Sequence, residues 1–184
     1  MAELTDKDAL LILTLATKTR AVIVFLAGAS AFVFTTFVSV VLGSVVSSLI
    51  PILWVKLAGG VVMLAFGVRE AKGIIGQKAI EEEEKRLEKV KDGARAFLQM
   101  FAALAILDLA GDATMILTVV LAAQYADKLF IFSSICLGLI AATAFETALG
   151  NRLGRMLTPR RLKYAASAVF ITIGVVIIAT SIWY

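Results

Sequence analysis

The sequence predicts an all-α integral membrane protein whose six transmembrane segments form two inverted three-helix repeats, with the first helix shortened. Of its 184 residues, 60% are hydrophobic and 17% are charged, whereas a soluble domain is about half apolar and about a quarter charged. No charged residue lies between positions 21 and 55 or after Lys163. Apolar stretches of about 18 or more residues can cross the hydrocarbon core as a helix. A Leu-Gly pair and a Gly-Val pair of the first half of the chain also recur in the second half.

Six hydrophobic segments follow one another along the chain, and a helix satisfies every backbone N–H and C=O of such a segment in lipid. They cover residues 9–17, 21–50, 51–68, 96–124, 129–149 and 162–184. Pro51 begins the third segment, because the first turn of a helix does not need the N–H that proline lacks. The strands of a membrane barrel would alternate apolar and polar side chains, and these segments do not.

The basic residues orient the segments in the membrane. If all six cross, the loops after the first, third and fifth segments share one side and hold fifteen of the 18 basic residues. The opposite side keeps Lys7, Lys56 and Lys128. Because loops rich in lysine and arginine stay in the cytoplasm, we expect a plasma or inner membrane protein with both termini outside and a cytoplasmic central linker.

An internal repeat divides the chain. A Leu-Gly pair that ends at Gly43 and a Gly-Val pair that begins at Gly67 recur 107 residues later, at Gly150 and Gly174. Three crossings per repeat would insert the second half upside down, which is the architecture of many secondary transporters. The predicted units are a first repeat at 1–68, a charged linker at 69–95 and a second repeat at 96–184.

Acidic residues inside the apolar segments are the candidate functional groups, because a carboxylate at the bilayer centre costs about 2.5–3.5 kcal/mol. Asp108 and Asp112 lie in the fourth segment with Gly111 between them. As one helix, its 29 residues would measure about 43 Å against a core of about 30 Å, so we expect a break near Gly111. Hard divalent cations bind carboxylates, carbonyls and hydroxyls, and Thr114 supplies a hydroxyl. Glu146, in the fifth segment, is either a proton relay or a packing residue.

The composition argues against several classes of function. The chain has no histidine and one cysteine, Cys136, which lies inside an apolar run. With no nucleophile–base pair, we expect neither an enzyme nor a bound cofactor. The formal net charge of +4 reflects basic loops that face anionic lipid headgroups, so the expected partner is the bilayer and not nucleic acid. The oligomeric state stays open, with a homodimer among the alternatives.

Two short stretches resemble the E-x-G-D-[KR]-[ST] motif that small six-helix cation/proton exchangers carry once in each inverted repeat. This family includes the Golgi exchangers of calcium and manganese. Residues 3–8 resemble the first copy and residues 109–114 resemble the second. In the second copy Leu109 replaces the glutamate, and Asp108, one position earlier, is the expected substitute. The positions that match are Glu3, Asp6, Lys7, Gly111, Asp112 and Thr114.

The resemblance implies a secondary transporter that exchanges a divalent cation, calcium or manganese, for protons, with the cation as substrate and not as cofactor. It also implies a cage of oxygen ligands, which we expect from Glu3, Asp6, Asp108, Asp112 and Thr114. Two alternatives stay open. One is a passive cation channel or small-solute exporter built on a similar repeat. The other is a member that has lost transport and acts in assembly through its Glu/Lys linker.

Overall fold

The computed structural model describes residues 11–12, 15–16, 20–72, 93–110, 112–156 and 159–183. The long helices in these ranges are α1 (Ala21–Leu49), α2 (Ile52–Lys72), α3 (Ala94–Leu109), α4 (Ala113–Gln124), α5 (Lys128–Met156) and α6 (Pro159–Trp183). No strand occurs in the described part of the chain. The all-α prediction is confirmed for these residues.

Several helices are suited to a membrane. By length and composition, α1, residues Ile52–Arg69 of α2 and Lys128–Ala148 of α5 could each cross alone, and the α3–α4 pair would make a fourth span. In α6 the side chains that the structure describes, Ser167–Ser181, also form an apolar stretch. Large apolar side chains such as Phe37 and Leu137 are 58% and 69% exposed, as expected for faces that contact lipid. The membrane class is confirmed, whereas the count of six crossings stays a prediction.

Helix α1 runs without a charge through its whole length. Its serine hydroxyls bond to carbonyls of the preceding turn, as Ser30 does to Leu26 (2.7 Å), so few polar groups of this helix need an external partner. The helix stops at Leu49, before Ile50 and Pro51. The residue before a proline is disfavoured in helical geometry, and Ile50 is extended, with φ −124° and ψ 132°.

The fourth predicted segment is two helices. Gly93 precedes α3 with φ 125°, a value that favours glycine. Helix α3 ends at Leu109, α4 begins at Ala113, and the two are bent by 64°. Gly111 itself lies outside the described residues. The predicted break in this segment is confirmed.

The predicted fifth segment, residues 129–149, agrees with the membrane-capable stretch Lys128–Ala148. The helix is longer than this apolar part, because α5 continues to Met156 and α6 begins at Pro159. Arg152 and Arg155 therefore lie within a helix, not in a loop. Hydropathy marks where the apolar part of a helix ends and not where its backbone hydrogen bonding ends.

Helix α1 lies at the centre of a bundle and packs against α3, α4 and α5. The predicted first segment reaches this bundle, since the helical residues Leu11, Ile12 and Leu15 are buried there. The other residues of that segment, apart from Ala16, lie outside the described part of the chain. The largest core cluster combines these residues with side chains of α1, α3 and α5, including Val24, Phe32, Leu104 and Leu139.

Helices α2 and α6 form a second, closely packed unit. An ideal Cβ at Gly174 would lie 2.9 Å from the carbonyl oxygen of Gly60, and one at Gly67 would lie 3.1 Å from that of Ser167. The Ser167 hydroxyl also donates to the Gly67 carbonyl (2.7 Å). Along the contact, residue numbers increase on α2 while they decrease on α6, so the two helices are antiparallel. Small residues allow the backbones of membrane helices to approach this closely.

Candidate functional site

The break between α3 and α4 brings two of the predicted acids together. Asp108 lies in the last turn of α3 and Asp112 directly precedes α4; their side chains are 4% and 5% exposed. The Asp112 N–H donates to the Asp108 carbonyl (3.1 Å). Two buried carboxylates held near one another repel when both are ionised, so a cation or a proton would be stabilised beside this pair.

Asp112 has a structural role that explains its local geometry. It is the N-cap of α4, with extended backbone (φ −71°, ψ 154°), and its Oδ2 accepts the N–H of Thr114 (3.2 Å). The N-terminus of a helix carries a partial positive charge that stabilises a carboxylate. The cap uses one carboxylate oxygen, and an ionised aspartate has two acceptors. Capping and cation binding are therefore compatible.

Asp108 is held by a neighbouring helix. The hydroxyl of Thr35, in the middle of α1, donates to Asp108 Oδ2. Thr35 is fully buried, and the carbonyl of Phe32 lies 3.3 Å from the same hydroxyl. The hydrogen bond between Thr35 and Asp108 joins residues 73 positions apart and connects the central helix of the bundle to the break.

Thr114, predicted as a hydroxyl ligand, lies in the first turn of α4. Its N–H donates to Asp112 and its carbonyl accepts the Thr118 hydroxyl (2.8 Å). The structure thus brings Thr114 beside Asp112 through main-chain bonds, and a role for its hydroxyl stays a prediction.

Glu3 and Asp6, the other predicted ligands, lie outside the described residues. Within the ranges that are described, no three acidic, histidine or cysteine side chains are grouped so that they could hold a metal ion. The break therefore supplies two carboxylates, and a divalent cation usually takes six or more oxygen ligands. Further ligands would have to come from main-chain carbonyls, hydroxyls, water or the N-terminal segment.

Glu146 is buried, with 1% of its surface exposed, but it lies away from the break. Helices α1 and α5 are antiparallel, since Phe37 packs against Phe132 (ring centroids 6.4 Å apart) and Gly28 packs against Thr143. Thr35, which contacts Asp108, lies on α1 between Gly28 and Phe37. Glu146 follows Thr143 and so lies farther toward the start of α1. The structure does not bring Glu146 to the two aspartates, and its role as a proton relay stays a prediction.

Thr35 is the residue at this site that the sequence did not single out. The available signal was a group of hydroxyls, Thr35, Thr36 and Ser39, in the middle of an uncharged span. All three are buried. A hydroxyl in a membrane helix usually bonds to its own backbone, so the pattern alone gave no reason to expect a contact with Asp108.

Comparison with known proteins identifies the family. The family model described as "Divalent cation/proton antiporter GDT1" matches residues 1–75 and 96–182. No curated protein matches the chain, and no solved structure does so. The matched stretches cover most of the chain and include the break with both of its aspartates. The chain is therefore a multi-pass membrane protein that belongs to the GDT1 family of divalent cation/proton antiporters.

Proposed function

We propose that this chain exchanges Ca²⁺ or Mn²⁺ for protons, and that Asp108 and Asp112 are carboxylates for which the cation and the protons compete. The observation that supports this most directly is the burial of both aspartates at a helix break inside an apolar segment. Discontinuous helices of this kind form the ion sites of many secondary transporters, because the unwound backbone offers carbonyls as well.

The chemistry of the break suits a hard divalent cation. Carboxylate, carbonyl and hydroxyl oxygens are the ligands that Ca²⁺ and Mn²⁺ take. A cation that binds between Asp108 and Asp112 would remove their mutual repulsion, and so would a proton. Binding of one therefore opposes binding of the other, which is the basis of exchange. In this proposal Glu3 and Asp6 complete the cage, with Thr114 beside it.

The proposal includes two inverted repeats, and the α2–α6 pair supports it. With the offset of 107 residues found in the sequence, Gly60 corresponds to Ser167 and Gly67 to Gly174. The repeat relation then converts one contact into the other, because Gly60 contacts Gly174 and Ser167, which corresponds to Gly60, contacts Gly67, which corresponds to Gly174. Such reciprocity is what a two-fold axis produces. The two separate matches to the family model, on either side of the charged linker, also support a duplication.

The orientation is part of the same proposal. The excess of basic residues after the first, third and fifth segments supports a cytoplasmic linker and external termini in a plasma or inner membrane. Cation exchange would then connect the cytoplasm to the outside.

The direct test is transport by the purified chain in liposomes. An inside-acidic pH gradient should drive uptake of Ca²⁺ or Mn²⁺ against the cation's own gradient, because each cation entering is exchanged for protons leaving. An ionophore that collapses the pH gradient should stop this uptake. Asp112→Asn should lower exchange by at least about 100-fold, since even the outer partners of a metal site are worth roughly 10–100-fold.

The matched control is Asp127→Asn. Asp127 is also an aspartate at a helix start, where it accepts the Phe130 N–H (2.9 Å), but it is exposed and lies at the loop before α5. Asparagine caps a helix as well as aspartate does, so this variant should keep the exchange of the unmodified chain. Uptake that ignores the pH gradient and survives Asp112→Asn would instead indicate a passive channel.

A further inference from the structure

Most hydroxyl groups of α1 donate to a carbonyl of the preceding turn of the same helix. Ser30, Ser39 and Ser44 each donate to the carbonyl four residues earlier, at 2.7, 2.7 and 2.9 Å. This is how a hydroxyl is satisfied in a membrane helix without an outside partner. Thr35 is different, because its hydroxyl donates across to the Asp108 carboxylate on α3.

Thr35 also has a second acceptor within reach. The Phe32 carbonyl, one turn earlier on α1, lies 3.3 Å from its hydroxyl oxygen. A hydroxyl has one proton, so a full bond to one acceptor weakens the bond to the other. Losing the carboxylate as acceptor would therefore not leave the hydroxyl unsatisfied in the core, which would otherwise cost free energy.

We propose that Thr35 is a positioning residue of the exchange site. Its hydroxyl holds Asp108 Oδ2 in the orientation that the cation needs, and it turns to the Phe32 carbonyl when the cation takes that oxygen. This inference rests on the proposed exchange of a divalent cation at Asp108 and Asp112. Thr35 acts through Asp108 and is not itself required as a ligand.

The expected effect is on cation affinity more than on turnover. Asp108 lies in the last turn of α3 beside the bend, and the Thr35 hydroxyl on α1 donates to its Oδ2. Without the hydroxyl, the carboxylate would have to be ordered when the cation binds, and ordering a side chain opposes binding. A charge-assisted hydrogen bond is among the stronger ones in proteins, so its loss should raise the apparent KM for the cation about tenfold.

The experiment compares Thr35→Val, Thr35→Ala and Thr35→Ser with the unmodified chain in liposomes, using Ca²⁺ and Mn²⁺ as probes. Valine keeps the shape of threonine without the hydroxyl, alanine repeats the test with a good helix former, and serine keeps the hydroxyl. The control is Ser39→Ala, because Ser39 is equally buried on the same helix but bonds to the carbonyl of Thr35 in its own backbone.

We expect both Thr35→Val and Thr35→Ala to raise KM about tenfold, with the maximal rate within about twofold of the unmodified chain, as for an interaction that tunes binding alone. Thr35→Ser and Ser39→Ala should keep the original KM. A KM unchanged in Thr35→Val or Thr35→Ala, or raised equally in Thr35→Ser, would overturn the positioning role. So would a loss of maximal rate alone, because local damage reduces the number of active molecules without changing their affinity. If the unmodified chain shows no exchange, the proposed function fails and not this inference alone.

Discussion

Asp112 combines two roles that are usually separate. Its Oδ2 accepts the Thr114 N–H and so starts α4, while the proposed exchange uses the same carboxylate for the cation. The helix N-terminus stabilises the negative charge when no cation is bound. The residue can therefore lose its transport role and keep its structural role, provided that the replacement still accepts the Thr114 N–H.

Two substitutions at this position should separate the roles. Asp112→Asn should abolish exchange and leave the midpoint of thermal unfolding nearly unchanged, because asparagine is also a good N-cap. Asp112→Ala should abolish exchange and lower the free energy of unfolding by about 1 kcal/mol, the usual effect of losing a cap. Thermal unfolding of the two variants in detergent measures the difference. Equal stability of the two would show that the cap contributes nothing to the fold.

Asp108 should tolerate substitution better than Asp112. It lies one position before Leu109, which occupies the glutamate position of the motif, and in the proposed site it supplements Asp112, with Thr35 orienting it. Its interaction with Thr35 could not be predicted, because no local pattern relates residues 73 positions apart. Residue identity and spacing thus gave the two acids at the break, whereas the group that orients one of them came only from tertiary packing.

At the scale of the elements, the close packing of the antiparallel α2–α6 pair depends on glycines at the contact, which have no side chain to separate the two backbones. An ideal Cβ at Gly174 would lie 2.9 Å from the Gly60 oxygen and 3.0 Å from the Leu64 nitrogen. Both are backbone atoms, which cannot move aside as a flexible side chain can. By contrast, a Cβ at Gly138 on α5 meets nothing within 4 Å.

These two glycines therefore give opposite expectations for the same substitution. Gly174→Ala should destabilise the protein by about 1–3 kcal/mol, as overpacking of a tight interface does. Gly138→Ala should be neutral or stabilise it by up to about 1 kcal/mol, because alanine is the better helix former. Unfolding in a denaturing detergent series checks both. A Gly174→Ala variant as stable as the unmodified chain would mean that α2 and α6 pack less closely than described.

The elements also show where sequence reasoning succeeds and where it stops. The break of the fourth segment was predictable, because 29 residues exceed the span of the hydrocarbon core and the segment contains Gly111 and Asp112. The end of α5 was not, since hydropathy reports where residues turn polar and not where backbone hydrogen bonding ends. Helix ends are difficult to place for this general reason.

At the scale of the whole molecule, the helices that pack most closely are not neighbours in the sequence. Helices α1 and α2 are joined by a short connection but contact each other little, while α1 packs against α3, α4 and α5 and α2 packs most extensively against α6. The described helices thus form a bundle around α1 and a separate α2–α6 pair. The contact between α2 and α4 joins them, and there Gly59 lies against Val120.

Secondary transporters alternate access by moving one rigid unit against another around the site, so we expect the α2–α4 contact to change during transport. Gly59→Cys with Val120→Cys, in a Cys136→Ala background, should form a disulfide on oxidation, because the ideal Cβ of Gly59 lies 3.3 Å from the Cβ of Val120. That is close to the usual Cβ separation of a disulfide. Oxidation should stop exchange, since the pair could no longer move against the bundle.

The reduced form of the same protein is the control, together with the Val120→Cys variant under oxidation. Both should transport. Full exchange by the cross-linked protein would show that the α2–α6 pair and the bundle do not separate along this contact.

The hydrogen bond from Ser167 to Gly67 has a consequence for biosynthesis. It joins residues 100 positions apart, and at about 5–20 residues per second a ribosome needs roughly 5–20 s to make that length of chain. Throughout this interval the face of α2 that carries Gly60 and Gly67 has been synthesised, but α6, which packs against it, has not. Lipid tails or an insertion factor must cover the face until the last helix arrives. A chain truncated before α6 would keep this face uncovered, and we expect cellular quality control to degrade it although it retains both aspartates of the proposed exchange site.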